Sequence, residues 1–166
     1  MSDQQQHEAG NPDEVWDKIE AQRVALLTTL HGQAITTRPM APYPDREAGV
    51  IRFITQLDTQ KTGDVGTAGP VNIGYSDPDA NTYLSVVGTG RVVQDRAKLK
   101  ELWNPYAEAW LPQGPEGADV ALIEVDVDEA TLWDSTSSKL VSAFEHLRAA
   151  VTKTPPNVGT VEHITL

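Results

Sequence analysis

The sequence predicts a mainly β fold: a six-stranded barrel decorated with helices. Three observations carry that reading. Short runs rich in β-branched and aliphatic residues recur between turn signals, over Arg23–Leu30, Ala34–Met40, Val50–Thr55, Val71–Ser76, Thr82–Val93 and Val120–Val127. Gly88 and Gly90 interrupt the longest run, as a bulge or barrel corner requires. Helical spacing is confined to short segments, and no repeat or low-complexity linker divides the 166 residues. One domain is therefore expected over residues 11–166.

Residues 1–10 are polar with no apolar stretch, so they read as a disordered tail rather than a secretory signal. Asn11-Pro12-Asp13-Glu14 opens a helix, with a capping side chain, proline at the first helical position and glutamate three residues after the cap. Val15, Trp16, Ile19 and Val24 form its expected apolar side. His31-Gly32-Gln33 turns the first strand into the second, giving a hairpin. Pro39 belongs at a strand edge or end, since it cannot donate to a central ladder. Pro42 to Asp45 and Glu47 to Gly49 read as loop before the third strand.

Thr59 to Gly66 is expected to make one or two helical turns. Asp77 to Asn81 is a turn between the fourth and fifth strands. Asp95 to Trp103 and Pro105 to Trp110 read as helices, the first packing Leu99, Leu102 and Trp103. After the sixth strand, Ala130 to Trp133 either extends it or starts another. Leu140, Phe144, Leu147 and Val151 share one face of a helix expected over Lys139–Val151, and Thr160 to Leu166 is an extended tail.

A formal net charge of −11 excludes broad nucleic-acid binding, which needs a basic stripe to displace counterions. No run approaches the roughly 18 apolar residues of a membrane span. Without cysteine there is no disulfide framework, thiolate metal site or cysteine nucleophile. These features together place the expected protein in the cytoplasm, away from membranes. His7, His31, His146 and His163 lack metal-ligand spacing, so no metal site is expected. Gly88-Thr89-Gly90 opens like a dinucleotide fingerprint but lacks the third glycine and lies inside a strand.

The stretch with the most chemistry is Thr36 to Met40 followed by Arg52 to Lys61, two strands with the second running into a polar loop. Arg38 and Lys61, with the hydroxyls of Thr55, Thr59 and Thr62, suit a phosphate dianion: a guanidinium gives bidentate charged hydrogen bonds and an ammonium adds a point charge. An exposed strand arginine and a solvated loop lysine explain the same spacing. Trp110 stands similarly between two roles, core packing and a ring at a loop on which a planar ligand could stack.

These residues resemble the FMN-binding split barrels related to pyridoxamine 5′-phosphate oxidase, and within them the bacterial branch called general stress protein 26. The similarity begins at Thr37-Arg38-Pro39-Met40. It continues through Phe53-Ile54-Thr55-Gln56-Leu57-Asp58-Thr59-Gln60-Lys61, which parallels the oxidase's Phe-Tyr-Thr-Asn-x-x-Ser-x-Lys. Glu101-Leu102-Trp103, Ala109-Trp110-Leu111-Pro112, Leu132-Trp133-Asp134-Ser135 and the tail around Val161-Glu162-His163-Ile164 resemble the stress-protein branch.

The resemblance implies a six-stranded split barrel and a homodimer with FMN at the subunit interface. It also implies an NAD(P)H-dependent oxidoreductase. By position, Arg38 and Lys61 would hold the phosphate, with Thr55 and Thr62 as hydroxyl partners. Backbone groups around Pro39, Met40, Phe53 and Ile54 would line the isoalloxazine, and Trp110 would cover it. Two departures qualify this. Gln60 stands where the oxidase usually carries arginine, and a lost charged hydrogen bond is worth roughly 1.5–3 kcal/mol. The C-terminal arginine and histidine that grip pyridoxal phosphate are also missing, so the vitamin-B6 reading ranks below the flavin one. No residue is singled out as a general acid or base. A flavin-binding sensor, carrier or buffer without turnover remains open, as does a barrel holding a deazaflavin or haem.

Overall fold

The computed structural model describes residues 11–57, 68–134 and 160–166. The expected N-terminal tail, the turns over Thr59–Gly66 and the helix over Lys139–Val151 lie outside the described residues, as do Lys61 and Thr62. The chain opens on α1 (Pro12–Ala21), capped by the Asn11 side chain, which accepts from Asp13 N at 3.0 Å. Val15, Trp16 and Ile19 are buried, as expected. Val24 is not part of that face: α1 stops at Ala21, the chain turns extended at Gln22, and Val24 is 56% exposed.

Strands β1 (Ala25–His31) and β2 (Ala34–Met40) form the expected hairpin in a register that pairs Leu30 with Ile35 and Leu27 with Arg38. Gly32 takes φ 60° in the two-residue connection, where a side chain would be strained. The segment read as loop contains a short strand, β3 (Tyr43–Asp45), paired with Val50–Arg52 of β4 (Val50–Gln56). Pro42 and Pro44 hid it, but β3 ends the sheet path, where a strand tolerates proline.

β5 (Gly69–Asp77) and β6 (Thr82–Val93) follow, then α2 (Arg96–Leu102), α3 (Pro105–Trp110) and β7 (Val120–Asp134). Ala130 to Trp133 thus extends the sixth predicted strand. The extended tail joins the sheet as β8 (Thr160–Thr165) against β7.

The sheet runs β2-β1-β5-β6-β7-β4-β3, with β8 on β7, and is an open path of antiparallel neighbours. This is the split barrel the resemblance implied, with two strands more than six. A register shift between Val87 and Gly88 provides the expected corner in β6. A Cβ on Gly88 would stand 2.2 Å from the Asp126 carbonyl oxygen, so only glycine fits there.

The main core packs α1 against the inner sheet face through Val15, Ile19, Leu27, Ile51, Phe53, Ile73, Val86 and Ile123. A second core lies on the other face of β4 and β7. It joins Leu99 of α2 and Leu111 to Val120 and Leu122, with Ile54, Leu102 and Trp103 packed against it. Among the described residues no helix is long and apolar enough to cross a membrane, and no cluster of histidine, aspartate and glutamate is placed to hold a metal.

A row of charge crosses β3, β4, β7 and β6. Arg52 is nearly buried and donates to Glu124 at 2.6 Å and to Asp45 at 2.8 Å, while Arg91 bridges Glu124 and Asp126. The hydrogen bond from Arg52 holds the Asp45 carboxyl below the ordinary carboxylate range, helped by the Ala48 N–H. A depressed folded pKa stabilises the fold above the unfolded value, near 3.9, and that contribution fades as pH falls through the lower folded value. Asp45→Asn keeps an acceptor for Ala48 but loses the charge. Urea unfolding at several pH values should show it less stable than the parent above about pH 4, with the gap closing in stronger acid. A gap independent of pH would contradict this account.

Candidate functional site

Where the barrel is split, β4 is only half paired. On one side it matches β7 from Val50 to Gln56; on the other it meets β3 only over Val50–Arg52. Beyond Arg52 no described strand pairs with that edge. The opening is a groove of about 440 Å³. Its walls are the end of β2 (Arg38, Pro39, Met40) with Ala41 after it, the end of β4 (Ile54, Thr55, Gln56), Val24, Tyr43, and α3 with Leu111.

Each wall has a local cause. Alternation along β2 places Arg38 and Met40 on the side facing the barrel interior, across from Leu27 and Ala25. The Arg38 guanidinium donates through Nη1 to Thr29 Oγ1 at 2.7 Å, and Thr29 is only 2% exposed. Thr55 is buried at the groove, and its neighbour Gln56 donates to Asp119 Oδ2 at 2.5 Å. Asp119 also accepts from Gln113 and, through its carbonyl, from Leu57 N. The end of β4 is therefore tied to Asp119 through both Gln56 and Leu57.

Helix α3 is set over the groove by Asn104. Its Oδ1 caps the helix, accepting from Tyr106 N at 3.0 Å and Ala107 N at 3.1 Å. Its Nδ2 donates to the Tyr43 hydroxyl at 2.8 Å and the Leu102 carbonyl at 3.1 Å. Ala107 and Leu111 are buried, whereas Tyr106 and Trp110 are 58% and 72% exposed. Their rings stand 6.5 Å apart, tilted by 57°. Among the described residues, these two large rings thus stand open on a capped helix beside the groove.

Residues 11–157 match the family described as pyridoxamine 5′-phosphate oxidase like. The chain belongs to that family. Among solved structures, a protein described as general stress protein 26 from Jannaschia sp. CCS1 is similar at 28% identity and TM-score 0.72, over 93% of this chain and 97% of that one. The general stress FMN/FAD binding protein from Xanthomonas citri is similar at 27% identity and TM-score 0.68, over 76% of this chain and 90% of that one. Among characterised sequences, protein bli-3 of Neurospora crassa is 24% identical over 153 residues, covering 86% of this chain and 73% of its own. Family and neighbours agree with the branch that the sequence resembles, general stress protein 26.

Within this member of the oxidase-like family, the groove gathers Arg38, Pro39, Met40, Ile54, Thr55 and Trp110 from the residues singled out in the sequence. Phe53 is not among them as a side chain: it is fully buried in the main core, and only its backbone lies on the open edge. Sequence reasoning missed Val24, Tyr43, Gln56, Tyr106 and Leu111. Tyr106 had a usable signal, since it precedes Trp110 by one helical turn and shares its face. Tyr43, between two prolines, had none.

Asn104→Ala removes a cap and the bond to Tyr43 together. It should lower stability by about 1–2 kcal/mol in urea unfolding and loosen Trp110, read as a lower steady-state fluorescence anisotropy. Unchanged stability would show that α3 is held by its apolar contacts alone.

Proposed function

We propose that this protein binds FMN in the groove at the barrel split and acts as a cytoplasmic, homodimeric flavin-dependent oxidoreductase that draws on NAD(P)H. The observation that carries the reading is convergence: a guanidinium, an open strand edge and an exposed indole line one cavity of ligand size. The description of the Xanthomonas citri relative as FMN/FAD binding supports it.

The donor set suits this cofactor. Arg38 offers paired charged hydrogen bonds to a phosphate, with the Thr55 hydroxyl beside the same groove. The open edge of β4 offers peptide groups to the polar rim of the ring. Met40, Ile54 and Leu111 supply apolar contact, and Trp110 can cover the ring and keep water from it. Lys61 and Thr62 follow β4 in the chain and belong to the same proposed phosphate site on sequence grounds. FMN, when bound, supplies the hydride chemistry; the protein supplies position and electrostatics.

The homodimer rests on a separate feature. Strand register puts Leu26, Leu30, Ile35, Val87, Tyr83 and Trp133 on the outer sheet face, all substantially exposed. That apolar face reaches the groove at Val24 and Pro39, so a second copy covering it would also wall the cofactor site.

A second reading has its own observation. Among the described residues that line the groove there is no carboxylate and no imidazole to move a proton. A flavin carrier or sensor without turnover would need none. Steady-state oxidation of NADH or NADPH by the FMN-loaded protein favours the oxidoreductase; its absence favours the carrier.

Arg38→Ala should weaken FMN binding by about tenfold or more, the worth of a charged hydrogen bond. Combined with Lys61→Ala, it should leave the purified protein without flavin. FMN affinity unchanged in the double variant, measured by calorimetry, would remove the proposal.

A further inference from the structure

We infer that the Tyr43 hydroxyl donates a hydrogen bond to a carbonyl oxygen on the flavin ring, aimed there by Asn104. This deepens the FMN reading and rests on it. Asn104 Oδ1 accepts from the backbone N–H groups of Tyr106 and Ala107. Two N–H groups can meet only the oxygen of that amide, so the amide's orientation is settled. Its Nδ2 has two protons and no lone pair to offer. One proton goes to the Leu102 carbonyl at 3.1 Å and the other to the Tyr43 hydroxyl at 2.8 Å. The Tyr43 oxygen is therefore the acceptor in that bond, and its own proton is left to be donated elsewhere. Among the described residues that proton meets no acceptor, and Tyr43 lines the groove half-buried.

Its place in the groove decides which part of a ligand it meets. The register of β3 sets Tyr43 opposite Arg52, three residues short of Thr55 along β4, a span of roughly 10 Å. Thr55 belongs to the wall proposed for the phosphate. The Tyr43 hydroxyl rests instead against the cap of the helix that carries Trp110, on the side proposed for the ring. The rim of a flavin ring carries carbonyl oxygens, which match a lone O–H donor. Donation from Asn104 polarises the Tyr43 O–H and strengthens what it gives. It also holds the hydroxyl in place before the ligand arrives, which lowers the ordering cost of binding.

Calorimetric titration of Tyr43→Phe with FMN and, separately, with riboflavin tests this. The variant should lose about three- to tenfold in affinity, the worth of one neutral hydrogen bond, for both ligands alike, since they share the ring. In the infrared difference spectrum of the bound flavin, a ring carbonyl stretch should move to higher frequency, as a carbonyl does on losing a donor. The ligand-free variant should keep the parent's tryptophan anisotropy, because Asn104 still caps α3 and still bonds Leu102. Parental affinity for both ligands, a loss confined to FMN, or an unshifted carbonyl band would overturn the inference. A loss of affinity with lowered anisotropy would also overturn it, leaving Tyr43 a prop for α3. If the unaltered protein binds neither flavin, the FMN reading itself has failed and this inference falls with it.

Discussion

The half-paired strand β4 is the constraint on which the rest of this structure depends. Its ladder with β7 is complete, while its ladder with β3 stops at Arg52. A strand edge carries polar groups that cannot be buried without partners, and among the described residues the sheet opens there. The groove is the consequence. The rest of the molecule keeps it from collapsing: α1 fills the main core behind β4, and α2 and α3 pack the second core in front.

Charge follows the same logic. In a chain of net charge −11, Arg52 and Arg91 meet carboxylates across neighbouring strands, and Arg46 meets Asp17 and Glu20 of α1. The Arg52–Glu124–Arg91 row clamps β4, β7 and β6 beside the split, so the paired half of β4 is rigid where the open half begins. Arg38 stands at the opposite wall, oriented by a hydroxyl. Arg96, by contrast, donates to the backbone carbonyls of Pro115 and Val120.

The sheet was legible because alternation and turn chemistry agreed along most of it. Thr82–Val93 is found with the predicted bounds, and the glycine signal at Gly88 marks a real register shift. The local rules failed where tertiary pairing decides. β3 exists because β4 offers it an edge, despite two nearby prolines, and β8 because β7 runs long enough to receive it. Trp133 shows the pairing at work: its parity in β7 places it on the outer face, 40% exposed. Around the groove, Arg38 and Trp110 could be named from sequence because their residue types announce a chemistry. Tyr43 and Asn104 could not, since their role is a contact between segments 61 positions apart. Thr29 was equally silent, one buried threonine among several until the hairpin register set it beside Arg38.

The central claim is that the groove at the split is a site for a flavin carrying a phosphate. A pair of fluorescence titrations of the unaltered protein, one with FMN and one with riboflavin, tests it most directly. The account predicts saturable quenching of Trp110 emission by FMN, with clearly weaker binding of riboflavin. Equal affinity for the two would contradict the phosphate site at Arg38, and saturation by neither would contradict the flavin itself.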